Sequence, residues 1–341
     1  MVALALKESG WPGGSAAIRD DIEGAGQART LAAMGQLEML CRVRRAAAAA
    51  GVRMMALKGG ALSMQLYGTP CIRESFDSDI LVSQDDLGAI DRILTREGFL
   101  SQLRPHSERQ ARLVESFHKD RRYYHPGRRL WLDCHWRVTA SRHLLPLSFD
   151  EAWQSRDEVA VGGVAIPVLS GIPLMLYLGC HGSWHKWTRV KWLGDMAALA
   201  SRMGPAEFSG LRRGAEAVGL GDLLGSWLIL LAGMAGVAVP GAELAWAMSR
   251  PRSRRLAAGG VDGAALRTID EVTGADLPMA RTRVTLYAMG LKRDWRYLAD
   301  FLLHAAHRQE DWRKFNLPDA AIPLYYILRP VVWACRRLIG S

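Results

Sequence analysis

Residues 52–83, VRMMALKGGALSMQLYGTPCIRESFDSDILVS, hold two apolar runs of strand length. They are VRMMAL (52–57) and SDILVS (78–83), and the span between them is too long and too patterned for a hairpin loop. Gly59-Gly60 breaks the first run, ALSMQLY (61–67) has a short helical pattern, and GTP turns the chain. QDDLGAIDRILTREGF then opens on acids and repeats apolar residues at Leu87, Ile90, Ile93 and Leu94 before Gly98, which reads as a helix and its stop. Strand, helix, strand and helix in close succession predict an α/β unit.

Residues 16–50 read as helical, ending in an alanine run and Gly51. RRYYHPGRRLWLDCHWRV (121–138) predicts a β-hairpin turning at Pro126-Gly127. In its second arm Trp131, Asp133, His135 and Arg137 share one face. Leu130, Leu132, Cys134, Trp136 and Val138 share the other, the core face. VAVGGVAIPVL (159–169) suits another hairpin, and from GIPLMLYLGCHGSWHKW onward the pattern is helical. The expected organisation is a helical segment over 1–50, an α/β core over 51–145 and a mainly helical domain over 146–341. SWLILLAGMAGVAVP (226–240) is the most apolar run; its length and glycines fit a buried helix rather than a membrane span.

The formal charge is +10, which favours anionic partners. Only seven of the 44 basic residues are lysine, and the excess is scattered rather than gathered in a dense run. Nucleic acid is therefore not the expected partner. The five cysteines, Cys41, Cys71, Cys134, Cys180 and Cys335, form no C-x-x-C pair and are odd in number, which fits reduced thiols in a cytoplasm. MVALALKESGWPGG lacks the long apolar core of a signal peptide.

Asp77 and Asp79 stand two apart at the start of a strand, which puts both carboxylates on one face. A hard divalent cation takes such carboxylates together with phosphate oxygens and water. Two solvated acids near a turn satisfy the same spacing. Lys58, Gly59 and Gly60 sit where a strand gives way to a helix, a place where amides bind phosphate; a tight turn is the alternative. Arg73 adds a cation four residues before Asp77. Asp133, in the middle of a strand, needs a partner or a wet cleft. His135 shares its face, either as a hydrogen-bonded strand residue or in catalysis.

Together these residues resemble the nucleotidyltransferase fold typified by DNA polymerase beta, and more closely a bacterial family of uncharacterised nucleotidyltransferases. The motifs are Leu57-Lys58-Gly59, Leu66-Tyr67-Gly68-Thr69-Pro70, Arg73, Asp77-Ser78-Asp79-Ile80-Leu81-Val82 and Asp133-Cys134-His135-Trp136-Arg137. HGSWHKWTRVKWLGDMAAL (181–199) looks like the family's later H-x-x-x-H segment. The resemblance implies an α+β fold, a polymerase beta-like core with a mixed sheet followed by a helical domain. It implies Asp77, Asp79 and Asp133 as the catalytic, metal-holding carboxylates, and Mg²⁺, as one or two ions with Mn²⁺ as a substitute, alongside a nucleoside triphosphate as co-substrate. Lys58, Gly59, Gly60 and Arg73 would hold the phosphates, with His135 beside them. Family members stand near peptide natural-product and polysaccharide genes, so the acceptor is a small molecule, peptide or protein. Ser78, between the aspartates, and Gly60, where the wider superfamily has serine, depart from the pattern. The gap from Gly60 to Asp77 is also longer than in the polymerases.

His181 and His185 are one helical turn apart, so they project together. A zinc pair, plain packing, or a helix face closing over the nucleotide with Lys186 are the three readings, and the last makes His181, His185 and Lys186 candidate nucleotide-binding residues. IPLYYILRPVVWACRRLIGS (322–341) has the make-up of an interfacial helix that would touch a membrane peripherally, but docking on the protein's own helices is favoured. The expected reaction attacks the α-phosphate of a nucleoside triphosphate and releases pyrophosphate. Kinase-like transfer of the γ-phosphate and non-catalytic nucleotide binding are the rivals.

Overall fold

The structure, a computed structural model, describes residues 16–73, 75, 77–103, 107–273, 278–306 and 319. The N-terminal stretch 1–14 and the interfacial helix expected over 322–341 lie outside them. Helix α1 (Ala16–Ala49) leads to β1 (Met54–Ala56), α2 (Gly59–Tyr67), β2 (Asp77–Val82), α3 (Leu87–Arg96) and the short β3 (Leu100–Ser101). Then come α4 (Glu108–Phe117), β4 (Asp120–His125), β5 (Leu130–His135), α5 (Phe149–Gln154), β6 (Arg156–Val161) and β7 (Val164–Leu169). The helices α6 (Gly171–Trp184), α7 (Val190–Ala200), α8 (Pro205–Ala217), α9 (Gly221–Ala235), α10 (Gly241–Ser249), α11 (Pro251–Thr273), α12 (Pro278–Met289) and α13 (Trp295–Ala306) follow.

Among the described residues the strands form one seven-stranded mixed sheet in the order β3-β4-β5-β2-β1-β7-β6. β2 pairs parallel with β5 and β1 parallel with β7; the other pairings are antiparallel. With helices against the sheet, the chain is α+β, as expected. β1 and β2 are antiparallel even though α2 lies between them.

The sheet does not stop at residue 145. The β6–β7 hairpin turns at Gly162-Gly163, both with positive φ, and docks on β1 through Ala56 and Val168. The α/β layer therefore continues to residue 169, past the boundary read from sequence. That boundary followed local pattern, whereas the hairpin is placed by a partner strand far back in the chain.

Alternation splits the core between the two faces. Ile80, Val82, Leu132 and Cys134 pack beneath α1, α3 and α4. Met55 and Leu81 face the helices that follow β7. Leu87, Ile90, Ile93 and Leu94 are buried along α3, matching its period. Helix α9 is the apolar run, with Trp227 fully buried and its Nε1 donating to Ser183 Oγ at 2.8 Å. Among the described residues no helix is long and apolar enough to cross a membrane. Helix α4, capped by Ser107 through its hydroxyl at Gln110 N, carries no strong sequence signal and was not foreseen.

Candidate active site

The parallel register of β2 and β5 sets Asp79 beside Asp133 and Asp77 beside Trp131. Registered neighbours project to the same face, so Asp77, Asp79 and Asp133 stand together. Antiparallel pairing adds Arg122 opposite Asp133 and Asp120 opposite His135 on that face. Farther along, Leu81 and Met55 are covered by helices, which leaves the aspartate end against a cavity.

Each carboxylate meets a different neighbour. Lys58 Nζ lies 3.0 Å from Asp79 Oδ1, and His135 Nε2 is also 3.0 Å from that oxygen. Lys119 Nζ is 3.3 Å from His135 Nδ1 and 2.7 Å from Asp120 Oδ2. An ammonium has only protons to give, so it donates to Nδ1, and Nε2 carries the hydrogen donated to Asp79. Burial raises the Asp79 pKa, yet Lys58 and His135 more than offset it and hold the carboxyl well below the usual range. Burial and then Lys119 lower the His135 pKa, which keeps the ring neutral.

Asp133 is the strained acid. Burial, then Asp120, Asp79 and Asp77, push its carboxyl up to about 7. Arg122 Nε lies 3.3 Å from its Oδ1 and a terminal nitrogen 3.9 Å from Asp77 Oδ2, while the guanidinium rests 4.5 Å over the Trp131 ring. The approach to Asp133 is not aligned for hydrogen bonding, and Oδ1 is buried without a hydrogen-bond partner. Asp133 therefore keeps its proton to about pH 7 when folded, but releases it near pH 4 when unfolded. The folded state thus loses stability as pH climbs through that window. With a chelator present, Asp133→Asn should melt several degrees above the parent at pH 8 and lose that advantage at pH 5. An advantage that does not change with pH would show that Asp133 is not the strained group.

The glycines serve packing. Gly59 has φ +73°, and a Cβ there would stand 3.2 Å from the Asp77 carbonyl oxygen and 3.6 Å from Ser78 Cα. A Cβ on Gly60 would meet Leu37 Cγ of α1 at 2.8 Å. Lys58 lines the cavity; the glycines are buried behind it. Gly59→Ala combines a left-handed backbone with a backbone contact and should cost about 1–2 kcal/mol, read by denaturant titration. Gly60→Ala meets a side chain that can yield and should cost less. Equal losses would refute this ordering. Ser78 is buried on the opposite face, and nothing in the structure explains its hydroxyl.

The cavity has a volume of about 360 Å³, within the range of small-molecule sites. It is lined by Asp77, Asp79, Ser75 and Lys58 around β2 and the end of β1, by Arg73, and by His181, His185, Thr188, Arg189, Lys191 and Trp192 from the α6–α7 segment. Arg73 Nε donates to the fully buried Asp195 at 2.7 Å, and Tyr67 Oη donates to the same carboxylate at 3.3 Å. The rings of His181 and His185 are 4.9 Å apart and each lies 5.0 Å from Trp192. Burial and then Lys58 hold His181 well below its ordinary range and lower His185 to about 3, so both rings are neutral. Neighbouring cations and the commitment of Asp195 to Arg73 speak against the zinc reading.

Lys186 is not at the cavity. It is buried with positive φ, and its ammonium pairs with Asp262 of α11. Lys186 and Trp187 both adopt left-handed backbone, reversing the chain between α6 and α7 and pointing this lysine at the helices. Sequence reading missed Lys119 and Asp120, whose role depends on strand register, and Arg189, Lys191 and Trp192, which lie in a segment singled out only for its histidines.

A family model described as uncharacterised nucleotidyltransferase matches residues 1–236. The chain belongs to that family. This nucleotidyltransferase is also similar to the antibiotic-resistance factor ANT(2'')-Ia in its solution structure, at 14% identity and a TM-score of 0.39, covering 53% of this chain and 91% of that one. The family match, not this likeness, carries the assignment. No curated protein matches the nucleotidyltransferase.

Proposed function

We propose that this nucleotidyltransferase moves a nucleoside monophosphate from a nucleoside triphosphate to an acceptor hydroxyl and releases pyrophosphate. The observation that carries it is one cavity lined by the carboxylates of Asp77 and Asp79 together with the cations of Lys58, Arg73, Arg189 and Lys191. Such a cavity suits a ligand that is anionic along its length and is cleaved beside a cation.

The donor set fits Mg²⁺, or Mn²⁺ in its place. Its atoms are hard oxygens, and Asp133 Oδ1 is buried without a hydrogen-bond partner. Among the described residues no three acids, histidines or cysteines already stand at metal-binding spacing. Lys58 and Arg122 lie against the acids, so their ammonium and guanidinium groups stand where positive charge is needed. Asp77, Asp79 and Asp133 would hold the metal, which supplies charge to the developing pyrophosphate and lowers the pKa of the acceptor hydroxyl. His135 fixes Asp79 through Oδ1. Lys58 shifts from Asp79 to the phosphates. Asp133 takes the acceptor proton as the oxygen–phosphorus bond forms and the bond to the β-phosphate breaks. Little beyond positioning and charge is required of such a displacement.

The test supplies ATP, GTP, CTP or UTP with Mg²⁺ and a panel of hydroxyl acceptors, starting with the peptides and saccharides that the family resemblance suggests. Pyrophosphate release supports the reading, and ADP formation would replace it with γ-phosphoryl transfer. A cytoplasmic location is part of the proposal and rests on the free cysteines, Cys41, Cys71, Cys134 and Cys180 among the described residues.

A further inference from the structure

A second and larger cavity, of about 610 Å³, opens where the parallel strands β2 and β5 end. Gln84 lines it just past β2, and Trp136, Arg137, Val138 and Thr139 line it just past β5. The chain leaves β2 for α3 on one face of the sheet and leaves β5 for Val138, Leu144 and Leu145 on the other. The two connections part, and such a parting at the carboxyl ends of parallel strands leaves a crevice suited to a ligand. Asp79 and Gln84 are five positions apart along the chain. An extended backbone of that length spans on the order of 16 Å, so this cavity is distinct from the one at the aspartates.

Arg137 shares the strand face of Asp133 and His135 but serves neither. Its Nη2 donates to the carbonyl oxygens of Glu115 at 3.3 Å, Ser116 at 3.0 Å and His118, around the end of α4. Its Nε is buried without a hydrogen-bond partner. The carbonyls offer dipoles but no net charge. Among the described residues no carboxylate lies at ion-pairing distance from this guanidinium; Asp300, held by Ser141 at 2.8 Å, and Asp120, held by Lys119, are the acids whose fields reach it. Arg142 lines the same cavity, exposed and without a bonded partner among the described residues. Burial, and then Arg142, lower the Arg137 pKa, as expected of two cations sharing one space. Glu115 and Glu151 are in the lining too, but Glu151 is committed to the Ser148 amide at 2.8 Å and hydroxyl at 2.7 Å, and Glu115 lies 3.9 Å from Arg121. Leu145, Pro146 and Leu147 supply apolar surface.

We propose that this cavity is a second binding site, separate from that of the nucleotide, for a small organic carboxylate. Its head sits between Arg137 and Arg142, and its apolar body rests against Leu145 and Leu147. The planar fork of a guanidinium matches the paired oxygens of a carboxylate. The two acids in the lining favour one negative charge over several, which turns away a polyphosphate.

The experiment uses the full chain and three probes, phenylacetate, 4-phenylbutyrate and 1-naphthoate, each beside its primary amide. Binding is followed by calorimetry at pH 8 without divalent metal. At least one carboxylate should bind, and more tightly than its amide by about tenfold or more. Arg142→Ala, at an exposed side chain, should weaken that carboxylate by about fivefold or more and leave the amide within about twofold. Arg142→Glu should abolish the preference for the carboxylate. Leu147→Ser should weaken carboxylate and amide alike, by about threefold or more. Arg128→Ala removes a surface charge paired with Glu38 and should shift affinity less than about twofold. ATP added in excess should not displace the probe. Circular dichroism confirms that each variant is folded. If no carboxylate binds, if each amide binds as well as its carboxylate, or if folded Arg142→Ala binds as tightly as the parent, the cavity is not a carboxylate site. An equal loss in Arg128→Ala would reduce the effect to overall charge, and displacement by ATP would put the probe in the nucleotide cavity; either result overturns the proposal. None of these readouts involves turnover, so nucleotidyl transfer stands or falls separately.

Discussion

Asp79→Asn should lower pyrophosphate release by about three orders of magnitude or more at saturating Mg²⁺. The side chain is nearly isosteric, so packing is kept while the charge is lost. Asp79 is the acid that Lys58 and His135 both address, and its carboxyl is held well below the usual range, so it is fully ionised at neutral pH. An amide in its place offers one oxygen without charge and leaves Lys58 buried without its counter-ion. Asp77→Asn should act in the same direction. Asp77 is more open, with Ser75 Oγ donating to its Oδ1 at 3.3 Å and Arg122 3.9 Å from its Oδ2, so less of its loss should come from disturbed packing. Steady-state assays with the four triphosphates and the best acceptor would show this. If both variants keep turnover within about tenfold of the parent, the chemistry does not take place at these aspartates.

Asp195→Ala should cost about 3–5 kcal/mol of folding stability, the largest loss expected from a single change outside the reacting groups. Asp195 is fully buried and receives Arg73 and Tyr67 at once. Burial pushes its carboxyl up against the pull of Arg73, which marks the pair as costly to assemble and costlier to break. Removing the acid strands a guanidinium that is only 5% exposed. The double change Arg73→Met with Asp195→Leu should recover much of that stability, because neither charge is then left alone, yet it should still weaken the triphosphate. Denaturant titration of the three variants gives the cycle. A single-variant loss below about 1 kcal/mol would mean that the ion pair does not fasten α7 to the core. A further sign of that fastening is that Asp195 shares α7 with Lys191 and Trp192.

The strands and the acids were the legible part. Apolar runs bounded by glycine and proline set β1, β2 and the β4–β5 hairpin, and alternation along β5 put Asp133 on the face away from the core. That could be read because period two is a local property. What could not be read depends on register or on distant partners. Asp120 meets His135 only because β4 and β5 pair in one register. Arg189 and Lys191 look like any scattered cations until α7 is laid against α2. Lys186 reads with the nucleotide because it follows His185 in the sequence, but the chain leaves the helix there in a left-handed turn of non-glycine residues. The sheet's extension past residue 145 was hidden for the same reason, since no local signal tells β7 to seek β1.

That late pairing bears on the order in which the protein can be made. β1 lies inside the finished sheet with Met54 and Met55 wholly enclosed, yet one of its two edges has no neighbour until residues 164–169 have left the ribosome. Until then the nascent chain carries an open strand edge on the side of β1 away from β2, the kind of surface that recruits other strands. A fragment ending at residue 145 would keep all three acids and would still present that edge permanently. The shortest piece of this protein able to stand alone therefore extends through the last hairpin, and a screen of truncations for soluble enzyme should begin beyond it.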